Sequence, residues 1–143
     1  MILAAATVED TAVLAAIHAA AFEASAAWDA GTFATLLQLD GVFGLRAAES
    51  AFILARRTLD EAEILTLAVR PEARRQGLAA ALVETAIVAA AVAGAKTMFL
   101  EVGEANAPAL ALYAGMGFMR IGVRRNYYAP GKHALALSKS LVG

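Results

Sequence analysis

The chain has 143 residues and a formal net charge of −1, from 12 Lys and Arg against 13 Asp and Glu, so it carries no global basic field for nucleic acid. It has no cysteine, which excludes a thiol nucleophile and a disulfide framework, and its two histidines lie far apart, so no metal site is expected. Much of its 60% hydrophobic content is alanine, and Glu84 and Lys96 interrupt the apolar stretches before they reach the ~20 residues of a membrane span.

Residues 2–6 read as a short strand with no basic segment ahead of it, which predicts no secretory leader and a cytoplasmic location. Thr7 and Asp10 resemble a cap with an acidic partner. Val13, Leu14, Ile17 and Phe22 follow at helical spacing, and residues 30–39 read as a second helix. Three extended runs, 42–48, 51–57 and 64–69, are separated by polar turns and predict an antiparallel meander. No Pro/Gly/Ser-rich linker or repeat divides the chain, so a single domain over 1–143 is expected, large enough to bury roughly 70% of its unfolded surface.

The apolar run breaks at Pro71 and restarts as a helix around Gly77, expected to bury a stripe of Leu78, Leu82, Thr85, Ala89 and Val92 and to end at Gly94. Strand, turn and helix N-terminus in that order form an anion site. The first turn of a helix leaves backbone N–H groups unpaired, and the peptide dipoles put positive charge there. No Gly-x-Gly-x-x-Gly or Gly-x-x-x-x-Gly-Lys-Ser/Thr pattern is present for a dinucleotide or a nucleoside triphosphate. Beyond it come a strand over 96–102, linked by a right-handed parallel crossover, and a short helix over 107–115 capped by Asn106 and stopped at Gly117. Two last strands, 118–125 and 133–141, complete an α+β layout with a mixed twisted sheet.

Two residues stand out for chemistry. Glu101 ends the 96–102 strand, where glutamate is a poor strand former; it reads either as a solvated strand end or as a functional carboxylate. Tyr113 lies in the short helix and, taken by itself, reads as an aromatic packed on the sheet. His18, His133, Phe22 and Trp28 read as ordinary structural residues, the last two as core.

The stretch Arg74-Arg75-Gln76-Gly77-Leu78-Ala79 fits Gln/Arg-x-x-Gly-x-Gly/Ala and resembles the coenzyme A pyrophosphate loop of the GNAT superfamily of N-acetyltransferases. Leu100-Glu101-Val102, Asn106, Ala111-Leu112-Tyr113, Gly117-Phe118 and Arg124-Arg125-Asn126-Tyr127-Tyr128 are, in that order, similar to the ribosomal-protein-alanine N-acetyltransferases of bacteria within it. Ala21-Phe22 followed by Trp28 extends the likeness toward the N-terminus.

The resemblance implies a GNAT fold of about seven strands and four helices, acetyl-CoA as donor, and direct transfer to a protein or peptide N-terminal amine. Neither nucleic acid nor membrane is implied as a partner. It implies Glu101 as general base and Tyr113 as general acid at the coenzyme A sulfur, with Asn106 contacting the cofactor. Leu67, Ala68 and Val69 would hold the pantetheine arm. Arg74, Arg75, Gln76, Gly77, Leu78, Ala79 and Ala80 would grip the pyrophosphate, with Arg70 adding charge, and Tyr127 and Tyr128 would line the acceptor cleft. An α-amino group, with a pKa of about 7.7–8.0 against about 10.4 for lysine, asks little of a single carboxylate base. The alternatives are transfer to a small amine or a lysine, and a non-catalytic acyl-CoA-binding domain. Gly103 stands where the resembled family usually has arginine, and Lys132-His133 where it has an acidic pair, so the acceptor side departs more than the cofactor side.

Overall fold

The computed structural model describes residues 2–142. The strands are β1 (Ala4–Ala6), β2 (Val42–Ala47), β3 (Ala51–Thr58), β4 (Glu61–Val69), β5 (Thr97–Gly103), β6 (Met119–Ala129) and β7 (Lys132–Ser140). The helices are α1 (Thr11–Ala21), α2 (Ala30–Leu37), α3 (Leu78–Val92) and α4 (Ala107–Gly115), with single 3-10 turns at Val8–Asp10 and Pro71–Ala73. One sheet has the order β1-β2-β3-β4-β5-β7-β6, antiparallel throughout except where β4 meets β5. The meander, the parallel crossover and all four helices match the expectation from sequence.

Local chemistry explains the boundaries. The Thr7 side chain accepts from Glu9 N–H while Asp10 Oδ2 accepts from Thr7 N–H at 2.9 Å, a reciprocal cap that starts the first turn. Asp29 caps α2 by accepting from Thr32 N–H at 2.8 Å, and Asn106 caps α4 by accepting from Ala109 N–H at 3.3 Å. Gly94 and Gly117, both at positive φ, follow the last turns of α3 and α4.

Each face of the sheet buries its own apolar cluster. On one side α3 packs Leu82, Val83 and Ala86 against Ile53, Ile64, Met98 and Leu100. On the other, α1 and α2 pack Leu14, Ile17 and Phe33 against Phe52, Leu54 and Ala68. The stripe expected on α3 is corrected here: Leu78, Leu82, Ala86 and Ala90 face inward at i, i+4 spacing, whereas Thr85, Ala89 and Val92 face out. The helix is apolar all round, so periodicity alone does not pick the buried face.

One irregularity positions the site. Leu54 opposes Thr66 while its neighbour Ala55 opposes Ile64, which leaves Leu65 as an extra residue in β4. The bulge reverses side-chain alternation: Ala62 and Ile64 belong to the α3 side before it and Leu67 and Val69 after it, while Thr66 turns toward α1. Pairing with β5 covers residues 61–64 against 97–100 and stops at the bulge. Beyond it the two parallel strands separate, and alternate backbone groups of residues 65–69 face a gap instead of a neighbouring strand.

Candidate active site

The gap opens into two adjoining clefts. The larger, about 740 Å³, is bounded by Leu67, Ala68 and Val69 on β4, by Arg74, Arg75 and residues 77–80 at the start of α3, and by Asn106. One end of it is made by main chain. Arg75 at φ 64 and Gly77 at φ 79 swing the chain into α3, and the first helical bond runs from Ala81 N–H to the Gly77 carbonyl at 3.1 Å. The N–H groups of Leu78, Ala79 and Ala80 therefore have no helical acceptor. A Cβ placed on Gly77 meets nothing within 4 Å, so the approach to these groups is open. The residues fit a pyrophosphate by three tests: free main-chain donors, an open seat and two exposed arginines.

Two residues expected here are not on the cleft lining. Gln76, between the positive-φ residues Arg75 and Gly77, is exposed and does not line the cleft. The Arg70 guanidinium donates through Nε to the Glu49 carbonyl at 2.6 Å, so its charge is tied to the β2–β3 turn.

The second cleft, about 390 Å³, brings Glu101 and Tyr113 onto one lining. Leu67, Asn106 and Ala109 line both clefts and join them. Asn106 is rigid as the α4 cap; its N–H donates to the Gly103 carbonyl at 3.0 Å, and its amide N–H groups have no partner among the described residues. Tyr113 is buried, with its ring edge-on to Phe118 at 5.4 Å between centroids, and burial pushes its phenol up to about 12. Like any phenol it is protonated at neutral pH.

Glu101 Oε2 is buried, 3.1 Å from Arg124 Nε, but the approach lacks the angle of a hydrogen bond, so the oxygen keeps accepting capacity. Arg124 also lies over the Tyr127 ring at 5.3 Å. Glu63, on the neighbouring strand β4, is pushed above the usual carboxylate range by burial and by the Glu101 charge, with Arg124 partly offsetting both. Tyr128 lines the cleft, and burial, Tyr127 and Glu101 together raise its phenol. Tyr127 does not line it and instead packs edge-on against Tyr128 at 5.1 Å. A Cβ on Gly103 would touch the Tyr128 ring at 3.7 Å, so the glycine leaves the tyrosine a flat seat.

Three residues read as structural from sequence belong to this lining: His18, Phe22 and Trp28. The His18 imidazole stacks on Phe22 at 4.2 Å and on Trp28 at 5.0 Å, and Phe22 remains 38% exposed. Burial lowers His18 to about 4. The signal in the sequence is a histidine four residues before an aromatic on an otherwise alanine-rich helix, and only the bulge in β4 brings Thr66 to meet it. His133 is also more than an ordinary strand residue. Its Nδ1 accepts from Asn126 N–H at 2.9 Å and its carbonyl accepts from Glu104 N–H at 2.9 Å, fixing the β6–β7 hairpin beside β5.

The chain is similar to known acetyltransferases in sequence and in fold. The chain is 44% identical over 79 residues to the [ribosomal protein bS18]-alanine N-acetyltransferase of Escherichia coli K12, an alignment covering 55% of this chain and 53% of that protein. The match thus spans about half the length of the curated relative. The crystal structure of the E. coli ribosomal-protein-S18-alanine N-acetyltransferase superposes with a TM-score of 0.86 at 30% identity, covering 99% of this chain and 96% of that one. An aminoglycoside 6'-N-acetyltransferase complexed with coenzyme A shares the fold at a TM-score of 0.84 and 16% identity, covering 100% of this chain and 98% of that one. The fold therefore does not decide the acceptor. The model of the acetyltransferase (GNAT) family matches residues 14–118, and the chain belongs to that family.

Proposed function

We propose that this protein transfers the acetyl group of acetyl-CoA to the α-amino group of a protein N-terminus, with the N-terminal alanine of a ribosomal protein as acceptor. The observation that carries the reading is the placement of Glu101 and Tyr113 on one cleft, joined through Leu67 and Asn106 to a main-chain anion site. The alanine N-acetyltransferases similar to this chain support the choice of acceptor.

Acetyl-CoA supplies a thioester carbonyl open to attack by an amine. The N–H groups of Leu78, Ala79 and Ala80, with Arg74 and Arg75, hold its pyrophosphate, and backbone groups of Leu67, Ala68 and Val69 hold its arm. Glu101 takes the proton that the acceptor ammonium must lose, through one water where the reach requires it. Tyr113, protonated at neutral pH as any phenol is, gives its hydroxyl proton to the sulfur as the carbon–sulfur bond breaks. The ammonium loses two protons on becoming an amide: Glu101 takes one before attack and releases it to solvent, and the second, shed by the nitrogen after attack, makes good the one that Tyr113 gives to the sulfur, so one proton is released per turnover and no covalent enzyme intermediate is needed.

Turnover should be compared on an alanine-starting peptide, on its N-blocked version carrying lysine, and on a polyamine. The free N-terminus is expected to react fastest. Preference for the lysine peptide or the polyamine would move the assignment to those acceptors, and acetyl-CoA binding without transfer to any amine would make this a non-catalytic acyl-CoA-binding domain.

A further inference from the structure

Two buried polar side chains, His18 at 2% exposure and Thr66 at 8%, meet beside the second cleft. His18 Nδ1 accepts from the Trp28 backbone N–H at 3.1 Å, and its Nε2 lies 3.2 Å from Thr66 Oγ1. A neutral imidazole carries one N–H. Nδ1 already faces a donor and cannot hold the hydrogen, so the hydrogen is on Nε2 and the Thr66 oxygen is the acceptor. The threonine's own hydrogen is then left over. No other acceptor for it exists among the described residues, and Thr66 lines the cleft that holds Glu101 and Tyr113.

We infer that the Thr66 hydroxyl, oriented by His18, is a donor subsite for a carbonyl oxygen of the acceptor: the main-chain carbonyl of its first residue. Thr66 lines the Glu101 cleft and not the anion cleft, which puts the donor on the acceptor's side of the site rather than on the pantetheine arm. A fixed donor selects an oxygen, and the oxygen nearest a peptide's α-amino group is that carbonyl. An alkylamine or a lysine side chain has none at that distance. The subsite thus rests on the proposed transfer to an N-terminus and gives it a source of specificity.

The test is a double cycle: Thr66→Val against wild type, each with an alanine-starting peptide and with the same peptide whose first carbonyl is replaced by methylene. The methylene changes the amine's basicity equally for both enzymes, so only the ratio of ratios counts. The expected result is a roughly 3- to 10-fold rise in KM for the normal peptide in Thr66→Val, with kcat and the KM for acetyl-CoA unchanged. The methylene peptide should show no such rise, and Thr66→Ser should restore wild-type behaviour. Nitrogen-15 NMR of the wild type should show His18 protonated at Nε2, a readout that needs neither turnover nor the variant to fold. Equal effects on both peptides, no effect on either, or a proton on Nδ1 would overturn the subsite. A wild type that acetylates no peptide N-terminus would overturn the proposed function and the subsite together, whereas normal peptide turnover with an absent cycle overturns the subsite alone.

Discussion

The two clefts are built in opposite ways. The anion cleft is made mostly from one continuous stretch, residues 67–80, and its donors are backbone N–H groups with exposed arginines around them. The Glu101 cleft is made from side chains on α1, the α1–α2 loop, β4, β5, α4 and β6, several of them buried. A main-chain site is insensitive to most substitutions and acutely sensitive at its glycine. A side-chain site depends on every packed neighbour, and its electrostatics are set by burial. Binding and chemistry should therefore fail separately when each cleft is damaged.

The largest effect is expected on the side-chain cleft. Glu101→Gln keeps size and removes the ability to take a proton, so kcat should fall on the order of 10²–10⁴ while affinity for acetyl-CoA stays the same. The comparison to make is steady-state turnover against calorimetric binding. If kcat holds at low pH, where neutral amine is scarce, Glu101 is only a strand-end carboxylate held by Arg124.

The opposite damage falls on the anion cleft. Gly77→Glu places a like charge among free N–H donors that would otherwise face phosphate, and acetyl-CoA affinity should drop by at least ~10-fold. Part of any loss comes from forcing a side chain to positive φ, about 1–2 kcal/mol. Gly77→Ala carries that strain without the charge, so a folded Gly77→Glu that binds as well as Gly77→Ala would remove the pyrophosphate from this helix end.

The same contrast explains what could be read from the sequence. Caps, glycine stops and the anion loop are local: Asn106, Gly94, Gly117 and Gly77 each act within a few residues, and they were legible. Glu101 and Tyr113 were legible only through a resemblance, since a lone glutamate at a strand end and a helix tyrosine are ordinary. The partnership of His18 with Thr66 was not legible at all. It spans 48 residues and requires an extra residue in β4 that no turn signal announces. The buried face of α3 escaped for another reason, because an alanine-rich helix offers the same apolar surface all round. Gln76 and Arg70 fit their parts by residue type, yet Gln76 is exposed off the cleft lining and the Arg70 guanidinium is tied to the Glu49 carbonyl.

The smallest effect is one of stability. His18 titrates near 6.5 when unfolded and is held to about 4 by burial in the fold. Between those values the unfolded chain binds a proton that the folded chain refuses, so unfolding becomes easier as pH falls from about 6.5 toward 4, by at most about 1.4 kcal/mol per pH unit. Above that window the ring is neutral in both states and contributes no slope. Asp10 and Asp29, whose carboxyls are held below their usual range by hydrogen bonds to Thr7 and Thr32, add their loss only below about pH 4. Glu63, raised by burial, pulls the opposite way around its own titration. Denaturant unfolding of wild type and His18→Gln at pH 5, 6 and 7.5 separates these terms, because the carboxylates are common to both proteins. The wild type should lose more stability than the variant between pH 6 and 5, and the two should run parallel above pH 7. Parallel curves throughout would mean that the ring takes its proton inside the fold, and a protonated ring would lose the acceptor at Nδ1 that holds the Trp28 N–H over the cleft.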